Sequence, residues 1–245
     1  MKDRQIVLSK RLQMLAEMVT PGNRVADVGC DHGFLSIYLV QKAISPHVLA
    51  MDVRRGPLAA AEEHVESSGL SPYIETRLSD GMCGMGDGEA ETIVCAGMGG
   101  RLMEKILTES MDKAKNLKEL ILQPQSELRE FRAFLRRAGF RITDEDAVCE
   151  EGKFYFAMRA VYGGESVEPG DKNREREQTV FDKYGELLLR QEHPVLKQYL
   201  LSRRNVVEQI LDKLSSENTG RTSKRLAEIR QEMADIEMAL NWFGM

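Results

Sequence analysis

The sequence predicts an α/β chain: a Rossmann-like domain on a mostly parallel seven-stranded sheet with an antiparallel last strand, followed by a helical hairpin of coiled-coil type. Three observations carry this. The run Val25 to Leu35 reads as a short buried strand, a tight turn marked by Gly29 and Gly33, and a helix opening at Phe34. Four more strand-turn-helix units follow, and each strand ends in polar or glycine residues. After the breaker-rich stretch 163–171 the apolar period changes to a heptad.

The chain has 245 residues, room for one α/β domain and an appendage. Its 42% hydrophobic and 30% charged residues are ordinary for a globular protein. The formal net charge of -5 gives no global basic field. Cys30, Cys83, Cys95 and Cys149 form no C-x-x-C, so free thiols are expected rather than disulfides, and no metal is expected. No leader or membrane-length apolar run is read, so the expected compartment is the cytoplasm and no membrane partner is expected.

Met1 to Val19 places Leu8, Leu12, Leu15, Ala16 and Val19 at helical spacing, with Lys2, Arg4, Lys10 and Arg11 between them. This is a packing helix, or one whose basic residues meet a polyanion. The first strand tip is Asp27-x-Gly29-x-Asp31-His32-Gly33, not G-x-G-x-x-G. Asp31 there would repel a pyrophosphate. It suits a cationic, hydroxyl-rich ligand such as S-adenosylmethionine (SAM), or else it is a simple helix N-cap. His47 to Val53 is the second strand, and Asp52 near its tip is placed to hold a ribose diol; the alternative is a carboxylate at a helix start beside Arg54 and Arg55.

Pro57 to Ser68 is the next helix and Ile74 to Leu78 the third strand, tipped by Ser79-Asp80-Gly81, where a carboxylate can accept from an adenine amine. Glu91 to Ala96 is the fourth strand. Gly97-Met98-Gly99-Gly100 at its end implies close backbone approach by a partner group. A helix over Arg101 to Leu107 follows. Leu117 to Leu122 is the fifth strand, followed by Gln123-Pro124-Gln125-Ser126 and a helix over Glu127 to Ala138. Phe140 to Val148 and Phe154 to Val161 close the domain as a hairpin. In open α/β sheets ligands bind at the carboxyl tips, and this strand arrangement is the one SAM-dependent methyltransferases use.

The domains are therefore read as 1–162, a linker at 163–171, and a helical part at 172–245. In the last, a short helix around Val180 to Arg190 precedes two long ones. Leu226, Ile229, Met233, Ile236, Leu240 and Phe243 form one seam, and Leu196, Leu200, Val207, Leu211 and Leu214 the partner stripe.

Six motifs in order resemble the bacterial tRNA (adenine(22)-N1)-methyltransferase family, the TrmK family. They are Ser9-Lys10-Arg11-Leu12, Asp27-x-Gly29-x-Asp31-His32, Arg54-Arg55-Gly56-Pro57, Arg77 to Gly81, Ala96 to Gly100, and Leu120 to Pro124. The motifs cover residues 1 to 162, and the helical tail matches by architecture. The sequence departs from the family pattern at Gln125, where Asn is expected; Gln keeps the amide and lengthens it. The resemblance implies SAM as methyl donor and a D-arm adenine of tRNA as acceptor. No Asn-Pro-Pro-Tyr or Asp-Pro-Pro-Tyr follows the fourth strand, as enzymes that methylate the exocyclic amine require. A ring nitrogen suits this site better, because its in-plane lone pair attacks without prior proton loss.

The SAM contacts are expected from Asp27, Gly29, Asp31, His32, Gly33, Asp52, Val53, Asp80, Gly81, Ala96 and Gly97. The acceptor base is expected between the fourth and fifth tips, walled by Gly97, Met98, Gly99, Gln123 and Gln125. The tRNA contacts are expected from Lys10, Arg11, Arg54, Arg55, Arg101, Arg221, Lys224 and Arg225. A monomer is preferred, although a heptad this regular also suits a homodimer zipper. A small-molecule methyltransferase with a dimerising tail, or a non-catalytic SAM-binding interaction protein, are the alternatives.

Overall fold

A computed structural model describes residues 6–163, 172–216 and 222–244. Lys2, Arg4, most of the linker and the hairpin tip with Arg221 lie outside the described residues. The chain divides into two compact units, Met1–Val167 and Glu168–Met245.

The first unit is a seven-stranded sheet. Its strands are β1 (Val25–Val28), β2 (Val48–Asp52), β3 (Ile74–Leu78), β4 (Thr92–Met98), β5 (Glu119–Pro124), β6 (Phe140–Glu150) and β7 (Lys153–Tyr162), in spatial order β3-β2-β1-β4-β5-β7-β6. β1 to β5 are parallel, and β7 runs antiparallel to both β5 and β6. The chain steps from β1 outward to β3, then returns to β1's other side to lay down β4. The strand order therefore reverses between β1 and β4, and a crevice opens above their tips.

Alternate residues of the buried strands feed two apolar layers. Ala26, Val28, Leu49, Met51, Ile93 and Cys95 face one side, beneath α4 (Gly100–Glu109), α5 (Met111–Asn116) and α6 (Leu128–Arg137). Val25, Val48, Ala50, Val94 and Ile121 face the other, beneath α1 (Lys10–Met18), α2 (Phe34–Gln41) and α3 (Arg55–Ser67). Strands covered on both faces are near-continuous apolar runs, which is why β1 and β2 carry no alternation and are broken only by Asp27 and Asp52 toward their crevice ends. At the end of the sheet away from the crevice, buried Glu119 accepts from Thr20 and Thr92 (2.8 and 2.9 Å) and holds three elements together.

Several boundaries differ from the sequence reading. The first helix begins at Lys10, because the Ser9 hydroxyl accepts from Leu12 N (3.3 Å) and caps it there. Helix α5 is an addition; only Met111 and Ala114 mark it in a charged segment. β4 continues through a bulge between Ala96 and Met98, with Gly97 at φ 77°, and so carries β5 on to Pro124.

In the second unit the helix expected around Val180 to Arg190 is two helices, α7 (Lys172–Tyr184) and α8 (Glu186–Arg190), parted at Gly185 (φ 92°). α9 (Pro194–Ser216) and α10 (Thr222–Leu240) pack against each other. Leu196, Leu200 and Val207 are buried with Ile229, Ile236 and Leu240. Buried Asp235 pairs with Lys183, and Arg203 reaches Glu232 at 2.6 Å.

Candidate functional site

A cavity of about 480 Å³ lies at the crevice above β1 and β4. One end is built from three consecutive strand tips. Asp27, near the end of β1, is almost fully buried, and its carboxylate accepts from Ser36 Oγ at 2.7 Å. Burial pushes this carboxyl up to about 6 against the Ser36 hydrogen bond, and the charges of Asp52 and Asp31 add to the rise. Gly29 at φ 79° turns the chain, and its N–H donates to Met51 O at 2.8 Å. A Cβ there would stand 2.4 Å from Met98 Cε, so the first and fourth tips meet at this glycine.

Asp52 is 4% exposed at the tip of β2. Its two oxygens accept backbone N–H groups from Arg54 (2.8 Å) and Asp31 (3.3 Å), which fix the carboxylate between two turns. Asp31 adopts φ 53° and is not the helix cap; Gly33, at φ 73°, holds that position. Gly33 lies outside the cavity lining, where a Cβ would press to 3.1 Å from Ala61 Cβ and force α2 and α3 apart. Val53 is 59% exposed at the rim, and Asp80 and Gly81 line the wall from the tip of β3, where buried Ser79 donates to Gly81 O at 2.9 Å.

The other end gathers residues from distant parts of the chain. Gly97, Met98 and Gln125 line it, with Arg11 and Leu12 reaching over from α1. Arg11 Nη1 donates to Gln123 Oε1 at 3.1 Å, and the guanidinium lies 5.8 Å from the Tyr155 ring centroid. Gln123 is only 1% exposed, so it contributes through Arg11 and not as an open wall. Gly99 is also off the cavity: a Cβ there would meet Ser126 Oγ at 3.0 Å, and one on Gly100 would meet Ser126 O at 2.7 Å. These two glycines let α4 start against the loop after β5.

The remaining basic residues divide. Arg54 lies in the cavity wall, 3.9 Å from Asp31 and 3.7 Å from Asp52. Arg101 is exposed at the start of α4, 3.7 Å from Glu127. Lys10, Arg55, Lys224 and Arg225 are exposed. The sequence reading missed Phe34, Leu102 and Ile106 in the lining. The first two were legible as apolar residues in the opening turns of helices that follow glycine tips.

The residues present fit SAM. Four carboxylates, Asp27, Asp31, Asp52 and Asp80, surround one end, backbone N–H groups orient one of them, and an exposed valine offers an apolar cover. Among the described residues no group of three His, Cys, Asp or Glu could hold a metal ion, and no helix is long and apolar enough to cross a membrane.

Residues 8–158 match the family described as a methyltransferase domain. The chain is 37% identical over 159 residues to the tRNA (adenine(22)-N(1))-methyltransferase of Bacillus subtilis, covering 65% of this chain and 67% of that one. Its fold superposes with TM-score 0.82 on the crystal structure of the B. subtilis m1A22 tRNA methyltransferase TrmK, at 29% identity over 96% of this chain and 99% of that one. A Streptococcus pneumoniae structure solved in complex with S-adenosyl-L-methionine gives TM-score 0.81, at 29% identity over 96% of this chain and all of that one.

Proposed function

We propose that this chain, which belongs to the methyltransferase-domain family and within it to the tRNA (adenine(22)-N(1))-methyltransferases, transfers the methyl group of SAM to N1 of adenine 22 in the D-arm of tRNA. The observation that carries this reading is the two-ended cavity at the switch point, acidic where a cation would lie and open where a base would enter.

When bound, SAM supplies an electrophilic methyl group. The chain's residues bind and orient. Asp52 holds the ribose diol, with its carboxylate fixed by the two N–H groups. Asp27 and Asp31 face the cationic part, His32 and Gly33 shape the turn beneath it, Val53 covers the adenine, and Asp80 with Gly81 meets its edge. Ala96 and Gly97 bring backbone close to the transfer point. Gly97, Met98 and Gln125 wall the acceptor base, with Gly99 and Gln123 behind them. The base must leave its stack to reach this depth. Its N1 lone pair attacks without prior deprotonation, so no general base is assigned. The cationic product is offset by the carboxylates of the cavity.

Lys10, Arg11, Arg54, Arg55, Arg101, Lys224 and Arg225, with Arg221, hold the tRNA backbone despite the acidic total. The working form is a monomer: the seam residues Ile229, Ile236 and Leu240 are already buried within one chain, which leaves little for a second copy. The reaction belongs in the cytoplasm. Incubation with methyl-labelled SAM tests the reading. Label should enter unmodified tRNA; label in small metabolites of an extract, or in nothing, would overturn it.

A further inference from the structure

We infer that Arg11, fixed by Gln123, clamps a phosphate flanking the acceptor nucleotide; this rests on the tRNA reading above and assigns one residue pair within it. Two guanidinium groups line the cavity. Arg54 lies within 4 Å of two carboxylates, Asp31 and Asp52. Arg11 has no carboxylate within that distance among the described residues, and its one hydrogen bond goes to a neutral amide. A guanidinium carries five N–H donors in a rigid fork. One is taken by Gln123 Oε1 at 3.1 Å, and the others have no partner among the described residues.

The group is held in place. Gln123 is almost fully buried; its Oε1 accepts from Arg11 and its Nε2 lies 3.5 Å from Pro124 O, so its amide is committed to protein partners. The Tyr155 ring lies beneath the guanidinium. Arg11 Nη1 also lies 3.5 Å from the point that a Cβ on Gly97 would occupy, directly beside the bulge at the tip of β4. A fixed cation thus stands where the acceptor base must arrive.

Charge decides what it holds. Methylation at N1 leaves the base positive, and a bare guanidinium beside it would oppose that charge. An anion between the two removes the conflict. A flipped nucleotide brings such an anion with it, and the guanidinium fork matches phosphate geometry. Gln123 is then a positioning residue acting through Arg11.

The test uses the full chain and two ligated tRNAs in which the phosphate 5′ or 3′ of the acceptor adenosine is an uncharged methylphosphonate. For the wild type, one of the two replacements should lower kcat/KM about ten- to hundredfold, the loss of a charge-assisted hydrogen bond. Arg11→Ala should lose a similar factor on ordinary tRNA and be insensitive to that same replacement. Arg11→Lys should recover part of the rate. Gln123→Met, which conserves length, should bind SAM normally in calorimetry yet show reduced phosphate sensitivity, which a merely structural role would not produce. Wild type insensitive at both phosphates, or Arg11→Ala as sensitive as wild type, overturns the clamp. No methylation of ordinary tRNA by the wild type would instead overturn the functional reading.

Discussion

The two ends of the cavity are built in opposite ways. The acidic end comes from the tips of β1, β2 and β3; the first two are local runs of strand, turn and helix start, and the third is a strand and its turn. Asp27, Gly29 and Asp31 lie within five residues, and Asp52 is oriented by the N–H two residues on and by Asp31. The acceptor end comes from α1, the β4 bulge, the end of β5 and the face of β7. Its central hydrogen bond joins residues 112 apart in the chain. Local turn chemistry fixes the first end, and long-range packing fixes the second.

The largest expected effect breaks the acidic end alone. Asp52→Ala should weaken SAM binding by about 1–3 kcal/mol, leaving two N–H groups without their acceptor. Calorimetry showing unchanged affinity would remove its assignment to the ribose. The complementary change breaks the acceptor end. Gly97→Val places a side chain at φ 77° beside Arg11 and Gln125. The rate on tRNA should fall at least ~10-fold and by a larger factor than SAM affinity, because Gly97 brings only backbone to the cofactor while the new side chain enters the acceptor end. Equal losses in both would mean that the two ends are not separable.

A pH series sharpens the same contrast. The Asp27 carboxyl sits near 6 in the free protein. Because that value is raised, its contribution to stability is full below the ordinary carboxylate range and is lost as pH rises through about 6. A bound cation favours the ionised form, so SAM affinity should weaken as pH falls, about tenfold from pH 7 to 5. Asp27→Asn should flatten this dependence. A wild-type affinity independent of pH would show that the cation is not read by Asp27. The smallest effect is expected from the second unit. Lys224→Glu with Arg225→Glu should raise KM for tRNA a few-fold, and its salt dependence should become shallower by about one unit of slope for each phosphate no longer held. Unchanged salt dependence would remove these two residues from the tRNA surface.

This contrast also explains what the sequence could tell. Five strands, their order of appearance and the acidic tips were legible because each is written in contiguous residues with a fixed period. The cavity role of Arg11 was not: as a sequence feature it is one of several basic residues on an amphipathic helix, and only the fold brings it to Gln123. Gly97 and Gly99 look alike in the chain, yet one shapes the bulge that lines the cavity and the other seats α4 against Ser126. The break at Gly185 was hidden because apolar residues continue on both sides of it.

Mapping the methyl group on its substrate tests the central claim most directly. Unmodified tRNA treated with the full chain and SAM, digested and read by mass spectrometry with primer extension across the D-arm, should carry 1-methyladenosine at position 22 and nowhere else. A tRNA with guanosine there, whose N1 already bears a proton, should remain unmodified. Methylation of an exocyclic amine, of another position, or of the guanosine variant would contradict the account.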